Sequence, residues 1–224
     1  MRLQLLRIAV GSRIHRTLAG AGLDLVRVGD GSHLDQIRYS MKHGMLLNAC
    51  EAFQVADTAK SALKLTGDLA EVGVYRGGSA RLMCEVKGDR PLHLFDTFSG
   101  LPELTIEDGD ARFWRRQFTS QMEVVRQILK PYPRVYLYEG LFPDTAGPVE
   151  DRQFAFVHLD VDLYESTVAC LNWFYPRMTR SGVIMCHDYA YAAGVRKAID
   201  DFFADKPEIV IQQPAGAHCL VVKA

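Results

Sequence analysis

The chain has 224 residues, 48% hydrophobic and 24% charged, a composition ordinary for a globular protein of one to one and a half domains. A formal net charge of -1 gives no electrostatic ground for nucleic acid or an anionic membrane as the main partner. No apolar run approaches the roughly 18 residues of a membrane span. Five dispersed cysteines without a CxxC pair fit reduced, mostly buried thiols in a cytoplasm better than a zinc or disulfide framework.

In chain order, the first 30 residues set Leu3, Leu6, Ile14 and Leu18 among Arg2, Arg7, Arg13 and Arg16. The arginines break up a secretory apolar core, and the pattern suits an amphipathic helix packed on its own domain or on a second subunit, in preference to a membrane surface. A homodimer is the expected assembly. A turn with Gly29 and Gly31 follows, and 34–47 is mixed and partly helical. Asn48, with Glu51 three residues on, then opens a helix in the manner of a capping box. Its apolar side carries Phe53, Val55, Ala56, Ala59, Ala62, Leu63 and Leu65, and Gly67 ends it. Residues 1–66 therefore read as a helical preface without the standing of a domain, and 67–224 as the main domain.

From Asp68 the rhythm alternates. Strands are predicted at Leu69–Val74, Leu92–Phe95, Val135–Tyr138, Phe154–Leu159 and Gly182–Cys186. Helices are predicted at Gly77–Val86, Leu163–Tyr175 and Gly194–Phe203. Residues 107–130 are charged and helical in part, and Leu101–Gln121 reads as a mobile lid. Ile209–Gln212 and Cys219–Val222 form a closing hairpin on the sheet edge. The expected fold is a doubly wound, mostly parallel, Rossmann-like α/β sheet with an antiparallel C-terminal hairpin.

Two strand ends carry acidic residues: Asp160 and Asp162 after FAFVHL, and Asp188 beside His187 after VIMC. Single aspartates there commonly cap the following helix. A set at two consecutive strand ends lies instead where an open α/β sheet places its ligand crevice. The first strand and turn, LAEVGVYRGGSA, bring glycines and a helix N-terminus to the same crevice. The spacing of Gly73, Gly77 and Gly78 matches neither the dinucleotide GxGxxG nor a P-loop. Glu71 before it and Asp96 at the next strand end suit hydrogen bonds to ribose hydroxyls. Phe98, Phe113, Trp114, Tyr164 and Tyr189 could line an acceptor pocket, whereas Trp173 and the lone His158 read as core. Cys186 is weighed as a thiol nucleophile and read as core filling.

The ordered set EVGVYRGGSA, LFDTFSGLPE, EGLFPDT, HLDVDLYEST and HDY resembles the macrocin O-methyltransferase (TylF-like) family over about residues 45–205. The resemblance implies a class I S-adenosylmethionine-dependent methyltransferase that methylates sugar hydroxyls on natural products. On that basis Glu71, Gly73, Tyr75, Gly77, Gly78 and Ser79 would hold the methionine part of the cofactor. Asp96, Thr97 and Ser99 would hold the ribose, and Glu139 and Gly140 would lie near the adenine. Asp160 would border the cofactor, ligate magnesium and act as base, with His187 and Asp188 as further metal ligands. The chain departs from the family pattern at His187, where an aspartate is expected. Imidazole suits manganese or a later transition metal better than magnesium. Two other readings remain open: a metal-dependent hydrolase using Asp160, Asp162 and Asp188, and a nucleoside-binding protein whose altered metal site is inactive.

Overall fold

The computed structural model describes residues 34–109, 113–213 and 216–224. The amphipathic segment expected over the first 30 residues and the turn that follows it lie outside the described residues. Among the described residues one sheet contains β1 (Asp68–Val72), β2 (Leu92–Asp96), β3 (Val135–Glu139), β4 (Phe154–Leu159), β5 (Met178–Cys186), β6 (Ile211–Gln212) and β7 (Cys219–Val222). Its order is β3-β2-β1-β4-β5-β7-β6. Strands β1 to β5 run parallel, and β7 is antiparallel to both β5 and β6. The strand order reverses between β1 and β4, so the crevice expected at such a switch point opens above their carboxyl ends.

The helices are α1 (Leu34–Lys42), α2 (Ala49–Ala62), α3 (Gly78–Val86), α4 (Met122–Leu129), α5 (Tyr164–Phe174) and α6 (Ala193–Phe203). Helix α2 starts as its sequence predicts. Asn48 accepts the N–H groups of Cys50 and Glu51 at 2.9 and 3.0 Å, and the Glu51 carboxylate accepts the Asn48 N–H at 2.8 Å. Strand β4 is buried at every residue, as befits a central strand with helices over both faces. Ala70, Val72, Val157 and Leu159 point into a core shared with Leu171, Phe174, Val195, Ile199 and Phe203 of α5 and α6. Strand alternation sends Leu69, Glu71, Phe156 and His158 to the other face, where α2 packs against β4 and β5.

Several boundaries differ from those predicted. Leu34–Lys42, read as mixed, is a regular helix. β1 stops at Val72 because Gly73 turns the chain with a φ of +89°. β5 begins at Met178, before Gly182, and passes through Ser181 at φ +65°. In the 107–130 stretch the α-helix is confined to Met122–Leu129. Arg116 and Phe118 adopt φ of +66° and +63°, which an α-helix of L-residues does not accept. That loop instead ties to itself through Leu101 N–H to Gln117 O and Arg116 N–H to Leu101 O, both 2.9 Å. Of 209–212, Ile211 and Gln212 alone pair with β7.

Candidate active site

Strands β4 and β5 end side by side, and the sheet's own hydrogen bonds fix the residues that follow. Asp160 N–H donates to Val72 O at 2.9 Å, and His187 N–H to Leu159 O at 2.8 Å. Asp162 and Asp188 sit at φ of +63° and +61°. Such left-handed geometry costs a non-glycine residue on the order of 1–3 kcal/mol and collects at functional sites. One ligand atom each from Asp160, His187 and Asp188 lies within 4.8 Å of the others. His187 Nδ1 is 3.0 Å from Asp160 Oδ1 and 3.0 Å from Asp188 Oδ2, while Nε2 is 3.6 Å from Glu51 Oε2. Both ring nitrogens are buried, yet neither makes a directed hydrogen bond.

The electrostatics follow from this geometry. Burial opposes a charged His187, but the carboxylates of Asp160, Asp188 and Glu51 outweigh it and raise the imidazole's pKa. Burial likewise opposes a charged Asp160, and His187 reverses that and holds its carboxyl low. Asp162 is pushed well above the usual carboxylate range by burial and by the charges of Asp160 and Asp188. Two carboxylates and an imidazole with no directed hydrogen bond make a mixed oxygen and nitrogen donor set that fits a first-row divalent ion, zinc in particular.

The other half of the cleft is built on the turn after β1. Gly73 is required there: a Cβ would lie 1.8 Å from the carbonyl oxygen of Asp160, so it is the β4 backbone that excludes a side chain. Gly78 opens α3 without a side-chain cap, and a Cβ on it would meet the Cβ of Met45 at 2.4 Å. The turn 44–47 thus lies directly on the glycine-rich loop, and its residues line the cleft together with Val72–Arg76. Asp96 accepts the Val74 and Tyr75 N–H groups on Oδ2 at 2.7 Å each, and the Phe98 N–H on Oδ1 at 2.6 Å. Its carboxylate therefore locks the loop, with lone pairs left for a ligand hydroxyl.

A family comparison gives this geometry a chemical context. The description of the macrocin O-methyltransferase (TylF) family matches residues 36–214. The chain belongs to this family. It is 33% identical over 151 residues to the 8-demethyl-8-(2,3-dimethoxy-alpha-L-rhamnosyl)-tetracenomycin-C 4'-O-methyltransferase of Streptomyces olivaceus, covering 61% of this chain. It is 31% identical over 154 residues to the demethyldecarbamoylnovobiocin O-methyltransferase of Streptomyces niveus, covering 62%. The matched region spans 58% of the length of each relative. Among solved structures, the O-methyltransferase NovP superposes with a TM-score of 0.64 at 23% identity, over 77% of this chain and 80% of that one. The calicheamicin methyltransferase CalS11 superposes with a TM-score of 0.68 at 16% identity, over 88% and 94%. These two likenesses establish the fold.

Within the macrocin O-methyltransferase frame, the cleft is lined by Gly73, Tyr75, Gly78, Ser79, Asp96, Thr97, Gly140, Asp160, Asp162, His187 and Asp188; the sequence singled out all of these, Asp162 only under the hydrolase reading and the acidic strand-end set. Four predicted cofactor residues stand apart from its wall. Glu71 lies behind it, fully buried, with Oε1 2.8 Å from His158 Nδ1. Gly77 sits against Val125, while Ser99 and Glu139 are exposed. The aromatic acceptor pocket is also redrawn. Phe113 lines the cleft with Phe118, which the sequence did not single out, whereas Phe98, Trp114, Tyr164 and Tyr189 do not. Tyr189 is buried and donates to Asp200 at 2.8 Å. Cys186 is buried, and a hydrogen bond with Cys219 and burial push its thiol well up, against a role as nucleophile.

Sequence reasoning missed the polar chain behind the site. His158 Nε2 is 3.3 Å from His218 Nε2, and His218 Nδ1 is 2.9 Å from Gln54 Oε1. It also missed Glu51, which it read as a helix cap alone, and Asp108 of the loop between β2 and α4. Asp108 Oδ1 accepts the Tyr164 N–H at 2.6 Å and so caps α5 from outside. For Glu51 the capping box was the available signal; for His218 and Gln54 the sequence offered none.

Proposed function

We propose that this protein is an S-adenosylmethionine-dependent O-methyltransferase that methylates a hydroxyl of a sugar or glycosylated natural product, with help from a divalent ion. One observation carries the reading: the ends of β4 and β5 gather Asp160, His187 and Asp188 in the same cleft as the glycine-rich turn and Asp96. The names of the curated relatives, which act on a rhamnosyl tetracenomycin and on a novobiocin precursor, support the acceptor class.

When bound, S-adenosylmethionine would supply an activated methyl group for an acceptor oxygen. Tyr75, Gly78 and Ser79 would hold its methionine part, with the uncapped start of α3 favouring its carboxylate. Asp96 would accept from the ribose. A divalent ion, when bound by Asp160, His187 and Asp188, supplies Lewis acidity that lowers an acceptor hydroxyl's pKa. Asp160 would be the group placed to take that hydroxyl's proton. The walls 44–47 and Leu101–Pro102, with Phe113 and Phe118, would position the acceptor and exclude water, the main demand of an in-line displacement.

Calorimetry with S-adenosylmethionine and its demethylated product is the first test, and micromolar binding of both is expected at about -8 kcal/mol. The second assays transfer to sugar nucleotides and glycosylated natural products, after chelation and again with magnesium, manganese or zinc. Binding without transfer to any acceptor under any metal would favour the inactive-binder reading, and absence of cofactor binding would sink the proposal.

A further inference from the structure

We infer that Glu51, on the helix before the main domain, is a positioning residue for the metal site: it fixes His187 with Nδ1 toward the ion and Nε2–H toward its own carboxylate. The inference rests on the metal reading above and extends it to a residue outside the strand ends. The two faces of the His187 ring differ. Nδ1 lies 3.0 Å from one oxygen each of Asp160 and Asp188, so this is the nitrogen that shares a centre with the two carboxylates. Nε2 points away from that centre, and the carboxylate nearest it is Glu51, at 3.6 Å. That gap is longer than a hydrogen bond, and a few tenths of an ångström of ring movement closes it.

Glu51 is built to stay where it is. It is 4% exposed. Its Oε2 accepts the Asn48 N–H at 2.8 Å and its Oε1 accepts the Ala217 N–H at 2.8 Å. A cap needs the first of these bonds; the second ties the carboxylate to the segment that carries His218, whose ring stands edge-on to His187 with centroids 5.0 Å apart. The buried Glu51 carboxylate thus faces the ring nitrogen that does not face the other two carboxylates. Metal-bound histidines commonly donate their other N–H to such a carboxylate, which sets the tautomer and raises the ligand's basicity. A carboxylate in place of His187 would have no second nitrogen to orient, so this role belongs to a chain with histidine at 187.

The test measures zinc affinity by competition with a chromophoric chelator, and the 15N spectrum of the zinc-loaded protein with His187 identified by His187→Ala. Wild-type protein should show His187 metallated at Nδ1 and protonated at Nε2. Glu51→Gln removes the charge and should weaken zinc binding by about 10–100-fold and shift the Nε2–H resonance. Asn48→Ala weakens the same helix start but keeps the backbone N–H that the Glu51 carboxylate accepts, so it should lower the melting temperature and leave zinc affinity at the wild-type value. Zinc affinity unchanged in Glu51→Gln, equal losses in Glu51→Gln and Asn48→Ala, or metallation at Nε2 would each overturn the inference. Wild-type protein that binds no zinc, manganese or magnesium would instead remove the metal reading, and this inference with it.

Discussion

In the proposed mechanism Asp160 combines two duties in one carboxylate, and its backbone is held by the sheet, so its side chain can be changed without moving the site. Asp160→Asn keeps the shape while removing the charge. Turnover should fall by at least the roughly 10²-fold typical of a lost general base, with S-adenosylmethionine affinity retained in calorimetry. A variant that loses cofactor binding and keeps its metal would place Asp160 in the other half of the site. His187 admits a different experiment. His187→Asp makes the donor set all carboxylate, so the metal-activation curve should move toward magnesium and away from zinc. Superimposable curves for the two proteins would mean that His187 does not ligate. Both residues were legible because a strand-length apolar run ending in a polar cluster is a local pattern. Glu51 was legible only as a cap, since its approach to His187 depends on how α2 lies across β4 and β5. Asp96 was half legible: the strand end predicts an acceptor for ribose, but its grip on Val74, Tyr75 and Phe98 depends on how the glycine turn folds back.

Among the elements, the loop between β2 and α4 diverges most from its sequence reading. Its composition of charges and aromatics suits a helix, and nothing local announces the left-handed Arg116 and Phe118. Asp108 gives this loop a fixed point. It caps α5 through Tyr164, accepts the Thr105 N–H at 2.7 Å, and packs so tightly on α6 that a Cβ on Gly194 would lie 2.6 Å from its Oδ1. Asp108→Ala removes the cap and the anchor together. The expected loss is about 0.5–2 kcal/mol of stability, in line with other helix caps. Acceptor KM should rise while cofactor affinity stays constant, because the loop borders the acceptor side. A raised KM for cofactor alone would assign the loop to the wrong ligand.

For the molecule as a whole, the sheet order and the alternation of β1 to β5 with helices were legible, because parallel βαβ units repeat one pattern. The far edge was less so, since β6 is two residues long and the segment before it is tied to the body through Glu208. That buried carboxylate accepts from Lys223 Nζ at 2.9 Å, from Tyr175 OH at 3.0 Å and from the Ala224 N–H at 3.1 Å. Burial would raise its pKa, yet these partners hold it down to about 2 from an ordinary 4.5. A carboxyl with a depressed folded pKa stabilises fully above its ordinary value and loses that contribution as pH falls toward the folded one. Melting temperature should therefore drop between about pH 4.5 and pH 2 in wild-type protein. Glu208→Gln should melt lower at pH 7 and follow a flatter curve over that interval; parallel curves would show that Glu208 is not the titrating group. At the opposite end of β1, Gly73 and the carbonyl of Asp160 meet with no room for a methyl group between them. The floor under both proposed ligands is thus main chain packed on main chain, closed to adjustment by side-chain replacement. Diversification toward new acceptors has to proceed on the roof, where 44–47 and the loop that holds Leu101, Phe113 and Phe118 can vary without disturbing the floor. Libraries confined to those positions should yield folded catalysts with altered acceptor range, while libraries at 73 or at the residues flanking it should return mostly inactive protein.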